Sequence, residues 1–361
     1  MQPLTSTLSA YGWSPSLEHH VAQGEGEGRS PARVVMAQRG IFRLQTATGP
    51  VDAVVSGRLR HLAENAEDLP VVGDWVLCHQ PDTEGMALID SVLPRHSKLS
   101  RKVAGDRAVE QVLAANVDRI LIVMGLDGDY NLRRLERYLV MARESGAQPL
   151  VVLNKADLSA DPGAARSAVE AIAKGAPVLA ITGLTDDLDV LRQELTPGET
   201  VALVGSSGAG KSTLINRLAE QEVLRTGPVR ESDERGQHTT THRELFLLPG
   251  GYLLIDNPGL RELQLWSADE GLDDAFDDLL LLAEGCRFRN CSHSDEPGCA
   301  IDAAIESGDI EPERLASFHA LAREARSLAA RRDERTKRAA DKRLGRLYKS
   351  IQEQNRKLKG Y

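Results

Sequence analysis

The stretch TVALVGSSGAGKSTLINRLAE, residues 200–220, places a glycine-rich loop between an apolar run and an amphipathic run. The loop itself, GSSGAGKS from Gly205 to Ser212, satisfies the pattern G-x-x-x-x-G-K-[ST]. In this pattern a buried strand leads into the loop and a helix leaves it, so that backbone amides, a lysine and a hydroxyl can meet phosphate groups. We therefore predict a phosphate-binding loop at the edge of an α/β sheet.

The residue types of this loop fit a nucleotide site. Glycines let backbone N–H groups come close to phosphate oxygens. Lys211 would place a positive charge on the β- and γ-phosphates and is a candidate catalytic residue, and Ser212 would offer its hydroxyl to Mg²⁺. The candidate nucleotide-binding residues of this region are Gly205, Ser206, Ser207, Gly208, Ala209, Gly210, Lys211, Ser212 and Thr213.

A second motif, NKAD from Asn154 to Asp157, ends the apolar run PLVVL and precedes the phosphate loop in the chain. The Asp157 carboxylate can accept hydrogen bonds from the N1–H and the exocyclic amine of guanine, a donor pair that adenine lacks. We expect Asn154 to brace the neighbouring loops and the stem of Lys155 to lie along the base. ITG, at 181–183, is a loose version of a second base-contacting loop. NKAD therefore favours guanine over adenine.

Two further motifs follow the phosphate loop. DNPG ends another apolar run, which would put Asp256 near Mg²⁺ and the Gly259 amide near the γ-phosphate; a plain turn is the alternative. GQHTTTH contains Thr240, our candidate switch ligand of Mg²⁺, with Thr239 and Thr241 as the next candidates, unless this stretch is only a polar surface loop. Leu260 stands where a glutamine often orients the attacking water, so we expect His238 to position it. An exposed loop histidine is the other interpretation of His238.

These pieces occur in a rotated order. An ordinary GTPase places its phosphate loop first and the motif that contacts the base late. This chain instead has NKAD (the base box), ITG (the base loop), GSSGAGKS (the phosphate loop), GQHTTTH (the switch) and DNPG (the metal acid), in that order. Circular permutation retains a sheet while moving the termini to surface connections. Apolar runs alternating with amphipathic stretches also predict a parallel sheet with helices on both faces. We therefore predict a circularly permuted P-loop GTPase that uses Mg²⁺ and hydrolyses GTP to GDP by in-line attack of water.

The regions on either side of this sheet have different patterns. Short apolar runs separated by Gly, Asp or Pro predict a small OB-like β-barrel, in which Trp75 and Phe42 are either a base-stacking surface or core. After residue 268 the chain is rich in helix formers. We predict a flexible segment over 1–32, the barrel over 33–102, the GTPase domain over 103–267, and a helical zinc-binding domain with a basic C-terminal helix over 268–361.

Three of the four cysteines cluster in CRFRNCSHSDEPGC, which has the spacing C-x4-C-x-H-x5-C. Clustered cysteines in a chain of this kind favour a metal over a disulfide framework. A Cys3His set is typical of closed, structural zinc sites, with unligated cysteines as the alternative. The candidate zinc ligands are Cys286, Cys291, His293 and Cys299.

Charge is unevenly distributed. The formal net charge is −9, yet residues 314–361 contain fifteen Lys and Arg against five Asp and Glu. A basic tail on an acidic body suggests contact with a polyanion, or else a solvated charged helix. No run reaches the length of a membrane span, and the N-terminus lacks a signal-peptide pattern. We therefore expect a soluble, cytoplasmic protein, and we expect it to be a monomer.

In combination, these features resemble the RsgA (YjeQ) family of small ribosomal subunit biogenesis GTPases over about residues 33–330. The resemblance implies low intrinsic GTP hydrolysis that the small subunit stimulates, rRNA binding, and a role in late subunit maturation with release of another assembly factor. It matches the family's switch histidine to His238, its hydrophobic residue to Leu260 and its zinc ligands to the four residues above. Asn257 departs from the family, where Thr or Ser is frequent.

Two other functions compete with this interpretation. The first is an RNA-binding scaffold with a degenerate nucleotide site, which the intact Lys211, Ser212, Asp256 and Asp157 argue against. The second is a GTPase switch for a protein partner unrelated to RNA. The barrel, the zinc module and the basic tail together argue against it, because all three favour RNA.

Overall fold

A computed structural model describes residues 5–22, 28–79, 85–102, 110–186, 188–222, 243–256, 269–294 and 296–330. The chain folds into an N-terminal β-barrel, an α/β sheet with helices on both faces, and a C-terminal group of helices. This is the architecture that the sequence predicts. Among the described residues, no helix is both long enough and apolar enough to cross a membrane.

Five strands close the barrel in the order β1-β2-β3-β5-β4, with β4 returning to pair with β1. They are β1 Ser30–Gln38, β2 Ile41–Thr46, β3 Gly49–Val55, β4 Trp75–His79 and β5 Ala87–Val92, and α3 Gly57–Leu62 follows β3. Alternate side chains point inward, as the two-residue period of a strand requires. Phe42 and Trp75 are both buried, so they belong to the core of this region rather than to an exposed stacking surface.

Residues 5–22 differ from the predicted flexible segment. They form helices α1 Thr5–Ala10 and α2 Pro15–Ala22. Leu8 is buried with Trp75 and Leu77, and the Trp13 ring meets the Trp75 ring edge-on at 4.8 Å between centroids. Large aromatic side chains bury much apolar area, so a few well-placed residues order a segment whose overall composition is polar.

The α/β sheet has the order β10-β9-β8-β11-β13-β12, and only β12 is antiparallel to its neighbour. Its strands are β8 Arg119–Gly125, β9 Gln148–Asn154, β10 Val178–Ala180, β11 Thr200–Val204, β12 Arg243–Leu247 and β13 Leu253–Asp256. Its helices are α4 Leu132–Glu144, α5 Pro162–Ala173, α6 Asp189–Arg192 and α7 Lys211–Leu218. Successive β8 residues alternate between two cores: Ile120 packs on one face and Leu121 on the other.

Strand order explains how the rotated motifs work in one sheet. The strands β8, β9 and β10 precede β11 in the chain, yet they continue the parallel sheet on one side of it: β8 pairs with β11, β9 with β8, and β10 with β9. The carboxyl ends of parallel strands share one edge, where ligands bind in α/β folds. The base box after β9 and the phosphate loop after β11 therefore face the same edge.

The barrel and the α/β sheet are joined into one eleven-stranded sheet. Strand β12, which the sequence analysis did not predict, pairs with β1 through Met36↔Glu244 and Ala37↔Arg243. A second connection is the hairpin of β6 Lys98–Lys102 and β7 Glu110–Ala115, which spans the predicted boundary at 102/103.

A buried arginine strengthens this joint. Arg33 of β1 is 2% exposed and donates hydrogen bonds to Tyr11 O at 2.6 Å, Asn116 O at 3.1 Å and Thr200 Oγ1 at 2.9 Å. It therefore links the N-terminal helices, the barrel and the first residue of β11.

The C-terminal helices are α8 Asp269–Ala275, α9 Asp277–Ala283, α10 Ala300–Ser307 and α11 at 312–330. They attach to α4 through a buried ion network. Arg314 is 5% exposed and donates to Glu136 Oε1 at 2.9 Å and to Asp278 Oδ1 at 2.6 Å. Its guanidinium carbon also lies 4.7 Å from the centre of the Phe276 ring. This network fixes the C-terminal helices on α4 of the α/β sheet.

Candidate functional site

The predicted phosphate loop lies between β11 and α7, and its backbone requires glycine. Gly205 and Gly210 have φ angles of 142° and 97°. A Cβ atom at Gly205 would lie 2.1 Å from the Val123 carbonyl oxygen, and one at Gly210 would lie 2.1 Å from Asn154 Nδ2. Gly205 and Gly210 therefore let the loop pack tightly against β8 and the base box.

Lys211 begins α7 and lies along this loop. Its ammonium group donates to Gly205 O at 2.7 Å and also to Ser206 O. Ser212 and Thr213 follow in the first turn of the helix and are half-buried. The loop and the helix N-terminus thus bring one ammonium group, two hydroxyls and backbone amides to the carboxyl edge of the sheet, a set of groups suited to phosphates.

Asn154 connects three loops from separate parts of the chain. It is 4% exposed. Its Nδ2 donates to Ala209 O in the phosphate loop at 2.8 Å, and its Oδ1 accepts from Gly183 N at 2.8 Å. The base box, the ITG loop and the phosphate loop are therefore held together by one buried amide.

The rest of the base box turns outward at the same edge. Lys155 adopts a left-handed backbone with φ 58°, and a short 3-10 helix, Ala156–Leu158, follows it. The Asp157 side chain is exposed there, and Ala156 N donates to Ile181 O at 3.1 Å, which ties this turn to the ITG loop. An exposed carboxylate in this position is open to a ligand at the edge of the sheet.

Two acidic residues that the sequence analysis did not single out also lie at this edge. Asp127 accepts a hydrogen bond from Lys155 Nζ at 2.6 Å, and Asp129 accepts one from the Ser206 hydroxyl. The hydrogen bond from Lys155 is the main cause that lowers the pKa of Asp127. The available signal was GLDGDY at 125–130, because acids that directly follow a buried parallel strand lie at the ligand-binding edge.

Several predicted site residues lie outside the described part of the chain. These are His238, Thr240 and Gly259, together with Leu260. Asp256 is the last residue of β13, which is parallel to β11 through Ala202↔Ile255. Its backbone is therefore at the same edge, and the role of its carboxylate stays a prediction.

The four predicted metal ligands converge in the C-terminal helices. Their ligand atoms all lie within 4.8 Å of one another. His293 Nδ1 is 3.6 Å from Cys286 Sγ and 3.5 Å from Cys299 Sγ. A tetrahedral zinc ion with Zn–S of about 2.3 Å and Zn–N of about 2.1 Å would separate sulfur and nitrogen by roughly 3.6 Å. The cluster therefore fits zinc.

Backbone groups support this cluster. Ala300 N donates to Cys286 Sγ and Asp302 N donates to Cys299 Sγ, each at 3.4 Å. Glu296 accepts hydrogen bonds from Ser292 N at 3.0 Å and Ser294 N at 2.8 Å, which fixes the turn that presents His293. N–H donors at the start of α10 favour thiolates, the form in which cysteine binds a metal.

Comparison with known proteins points to one family. A family model for the RsgA GTPase matches residues 92–266. The chain is 46% identical over 352 residues to the small ribosomal subunit biogenesis GTPase RsgA of Opitutus terrae, covering 95% of this chain and 96% of that relative. It is 39% identical over 366 residues to the protein of the same name from Leptospira interrogans, covering 99% and 100%.

Solved structures show the same fold. YjeQ from Thermotoga maritima superposes with a TM-score of 0.61 at 24% identity, covering 82% of this chain and 98% of that one. YloQ, described as a circularly permuted GTPase, superposes with a TM-score of 0.60 at 22% identity, covering 84% and 98%. The permuted order of the motifs thus corresponds to a known arrangement of the sheet.

Proposed function

This chain belongs to the RsgA GTPase family, and from that premise we propose that it hydrolyses GTP to GDP and phosphate and acts in biogenesis of the small ribosomal subunit. The observation that carries the proposal is the meeting of three loops at Asn154, which bonds to Ala209 and Gly183 at 2.8 Å each. A scaffold with a degenerate nucleotide site would not need Lys211, Ser212, Asp256 and Asp157, which are all intact in this chain.

In the proposed complex, the phosphates lie on loop 205–212 and at the N-terminus of α7. Lys211 exchanges its bonds to the Gly205 and Ser206 carbonyls for bonds to phosphate oxygens. Asp157 accepts the two guanine hydrogen bonds, and Asn154 keeps the base box in register with the loop. This division of roles selects a guanine nucleotide because an adenine would leave the Asp157 carboxylate without its donors.

Hydrolysis in this proposal is in-line attack of water on the γ-phosphate. Lys211 and the loop amides stabilise the charge that develops, and His238 positions the water because Leu260 has no polar group to do so. Mg²⁺, when bound, would neutralise charge on the phosphates, and Ser212, Thr240 and Asp256 are the residues that would hold it. The amide of Gly259 would contact the γ-phosphate.

The Cys3His cluster has a structural role in this proposal. Four protein ligands fill a tetrahedral zinc shell and leave no position for a substrate. Zinc would hold the turn at 286–299 against α10, and α8, α9 and Arg314 in turn attach this region to α4.

The proposed partner is the small ribosomal subunit through its rRNA, with subunit-stimulated turnover and a role in late maturation. The relatives are named for biogenesis of the small ribosomal subunit, which supports this subunit as the partner. The family resemblance supports three further parts of this proposal: stimulation of GTP turnover by the subunit, action late in its maturation, and contact with another assembly factor. If the contact is made mainly to phosphates, binding should weaken steeply as salt rises.

GTP turnover by the purified protein, alone and with small ribosomal subunits, tests this function. ATP and large subunits serve as substrate and partner controls, and Lys211→Ala reports any contaminating activity. We expect strong stimulation of GTP turnover by small subunits only. GTP binding without stimulation would retain the nucleotide site and refute the ribosomal partner.

The role of His238 has its own test. We expect His238→Ala to bind GTP and the subunit normally and to lose stimulated turnover, because only the positioning of water is removed. Single-turnover hydrolysis separates this step from product release. Undiminished stimulated turnover in the variant would remove His238 from the mechanism.

A further inference from the structure

The loop after β8 has no role in the nucleotide-binding scheme above, yet it lies between the two halves of that site. Strand β8 pairs with β9 on one side and β11 on the other. Its loop, GLDGDY at 125–130, therefore emerges between the base box and the phosphate loop. Two carboxylates in this loop, Asp127 and Asp129, each contact one of those halves.

Asp127 faces the base box. Its Oδ2 lies 2.6 Å from Lys155 Nζ, and its Oδ1 accepts a hydrogen bond from Asp129 N at 3.0 Å, which fixes the carboxylate. Lys155 is held in a left-handed conformation that non-glycine residues seldom adopt. The ion pair therefore fixes the end of a side chain whose backbone is already constrained.

Asp129 faces the phosphate loop. Its Oδ2 accepts a hydrogen bond from the Ser206 hydroxyl, and its Oδ1 accepts one from Arg134 Nη2 of α4 at 2.5 Å. Ser206 is the second residue of the loop, and Lys211 also bonds to its carbonyl. Asp129 thus connects the phosphate loop to a helix of the scaffold.

Each carboxylate is matched by a cation: Asp127 by Lys155 and Asp129 by Arg134. The two pairs therefore add no net negative charge beside the site for an anionic ligand. A purely electrostatic role would predict that removing either acid strengthens the binding of anions, since each removal leaves a cation without its partner.

We propose that Asp127 and Asp129 are positioning residues for guanine nucleotide: Asp127 aligns the Lys155 stem with the base, and Asp129 holds the phosphate loop in place through Ser206. The inference deepens the proposed GTPase function and rests on it. It assigns the base-directed and phosphate-directed effects to two different acids in one loop.

Titration calorimetry of the full chain with GDP and with inorganic pyrophosphate tests this assignment, because pyrophosphate has no base. We expect Asp127→Asn to weaken GDP binding roughly three- to tenfold without weakening pyrophosphate binding. We expect Asp129→Asn to weaken both ligands by a similar factor. Equal or tighter GDP binding in both variants would overturn the proposal.

Matched variants separate positioning from general damage. Asp52→Asn removes an exposed acid paired with Arg43 on the barrel and should change neither ligand. Asp127→Glu retains the charge and should restore part of the GDP affinity. In GTP turnover, Asp127→Asn should raise KM with little change in kcat, because it acts on binding. A drop in kcat alone would contradict the assignment.

A double-mutant cycle adds a direct measure of the pair. If Asp127 acts through Lys155, the losses of GDP affinity in Asp127→Asn and Lys155→Gln should not add in the double variant. Additive losses would contradict this coupling. An unmodified protein that does not bind GDP would overturn the proposed function as well, whereas tight GDP binding that Asp127→Asn leaves unchanged would overturn only this inference.

Discussion

The described residues of the candidate nucleotide site come from positions 125 to 256, whereas the four candidate metal ligands lie between Cys286 and Cys299. The nucleotide site is assembled by the sheet: neighbouring parallel strands bring their carboxyl ends to one edge, and glycine backbones and Asn154 close the gaps. The metal cluster is assembled within one short turn region by its own side chains.

This difference predicts that the stability of the two sites depends on different parts of the molecule. The nucleotide site should be as stable as the sheet that carries it. The metal cluster should depend on its ion, because a short segment with little core is stabilised largely by the metal. Arg314 joins the two regions, so its removal should show how far each folds without the other.

The largest expected effect comes from breaking the metal cluster. Cys291→Ala removes one of the four candidate ligands and should abolish stoichiometric zinc binding. The effect should be large, because structural zinc contributes about 10–16 kcal/mol in small zinc domains. Helix α10 should then lose protection from hydrogen exchange, while GDP binding persists. Metal analysis and hydrogen exchange measure the two effects. Cys78→Ala, in the buried barrel core, is the matched control and should retain zinc; one zinc per chain in Cys291→Ala would contradict the ligand assignment.

The next largest effect is expected at the contact between the C-terminal helices and α4, which we call the C-terminal joint. Arg314→Met leaves Glu136, which is 1% exposed, without one of its two cationic partners, and leaves Asp278 without its bidentate arginine. Removing one member of a buried ion pair typically costs about 3–5 kcal/mol. We expect denaturant unfolding to split, with the C-terminal helices unfolding first.

Arg166→Met is the control for this joint. It breaks an exposed ion pair with Glu170 within one helix, which is worth only about 0.3–0.5 kcal/mol. A single unfolding transition of unchanged midpoint in Arg314→Met would mean that apolar packing alone holds the joint.

A smaller effect on stability, confined to the nucleotide site, is expected from Gly210→Ala. The new Cβ would lie 2.1 Å from Asn154 Nδ2, and the left-handed backbone adds about 1–2 kcal/mol of strain. Because Asn154 must move, we expect GDP affinity to fall at least about tenfold, roughly 1.4 kcal/mol, with zinc content unchanged.

Gly208→Ala provides the matched comparison. Its φ of 81° brings similar backbone strain, yet no atom lies within 4 Å of the added Cβ. Its free energy of unfolding should therefore fall less than that of Gly210→Ala. Equal losses in the two variants would show that strain, and not the contact with Asn154, decides the effect.

The smallest expected effect is a pH dependence of the stability that the C-terminal joint contributes. Burial raises the pKa of Asp278, but the hydrogen bond and charge of Arg314 and the charge of Lys174 outweigh it and hold the pKa below its usual 3.8. The stability contributed by this carboxylate is therefore complete above pH 3.8 and is lost as the pH falls through the lower, folded value. Asp278→Asn should reduce the fall of the unfolding midpoint at acidic pH. An unchanged fall would show that this carboxylate does not contribute to the pH dependence.

Much of the fold was predictable because its signals are local. The phosphate loop, the base box and the cysteine spacing each occupy a short stretch, and their order along the chain already required a permuted sheet. The five barrel strands and the parallel strands β8, β9, β10, β11 and β13 also follow from periodicity, since burial on one or both faces leaves a distinct pattern.

Long-range contacts could not be predicted in this way. Residues 5–22 form an ordered structure by packing against Trp75, which lies far along the chain. Strand β12 is short, and its partner β1 belongs to the barrel. The sequence can place Asp127 and Asp129 at the edge of the sheet, but only the structure shows that Lys155 and Ser206 are their partners.

Arg33 shows the same limit. In the sequence it is one charged residue at the start of a strand, yet desolvation by burial lowers its pKa to about 10, and it donates hydrogen bonds to Tyr11, Asn116 and Thr200, in three distant segments. The sequence by itself determined the motifs, their permuted order and the candidate metal ligands, because those depend on neighbouring residues. Only the tertiary structure decided which buried charges meet and how the three regions join, because those contacts depend on the geometry with which distant segments pack.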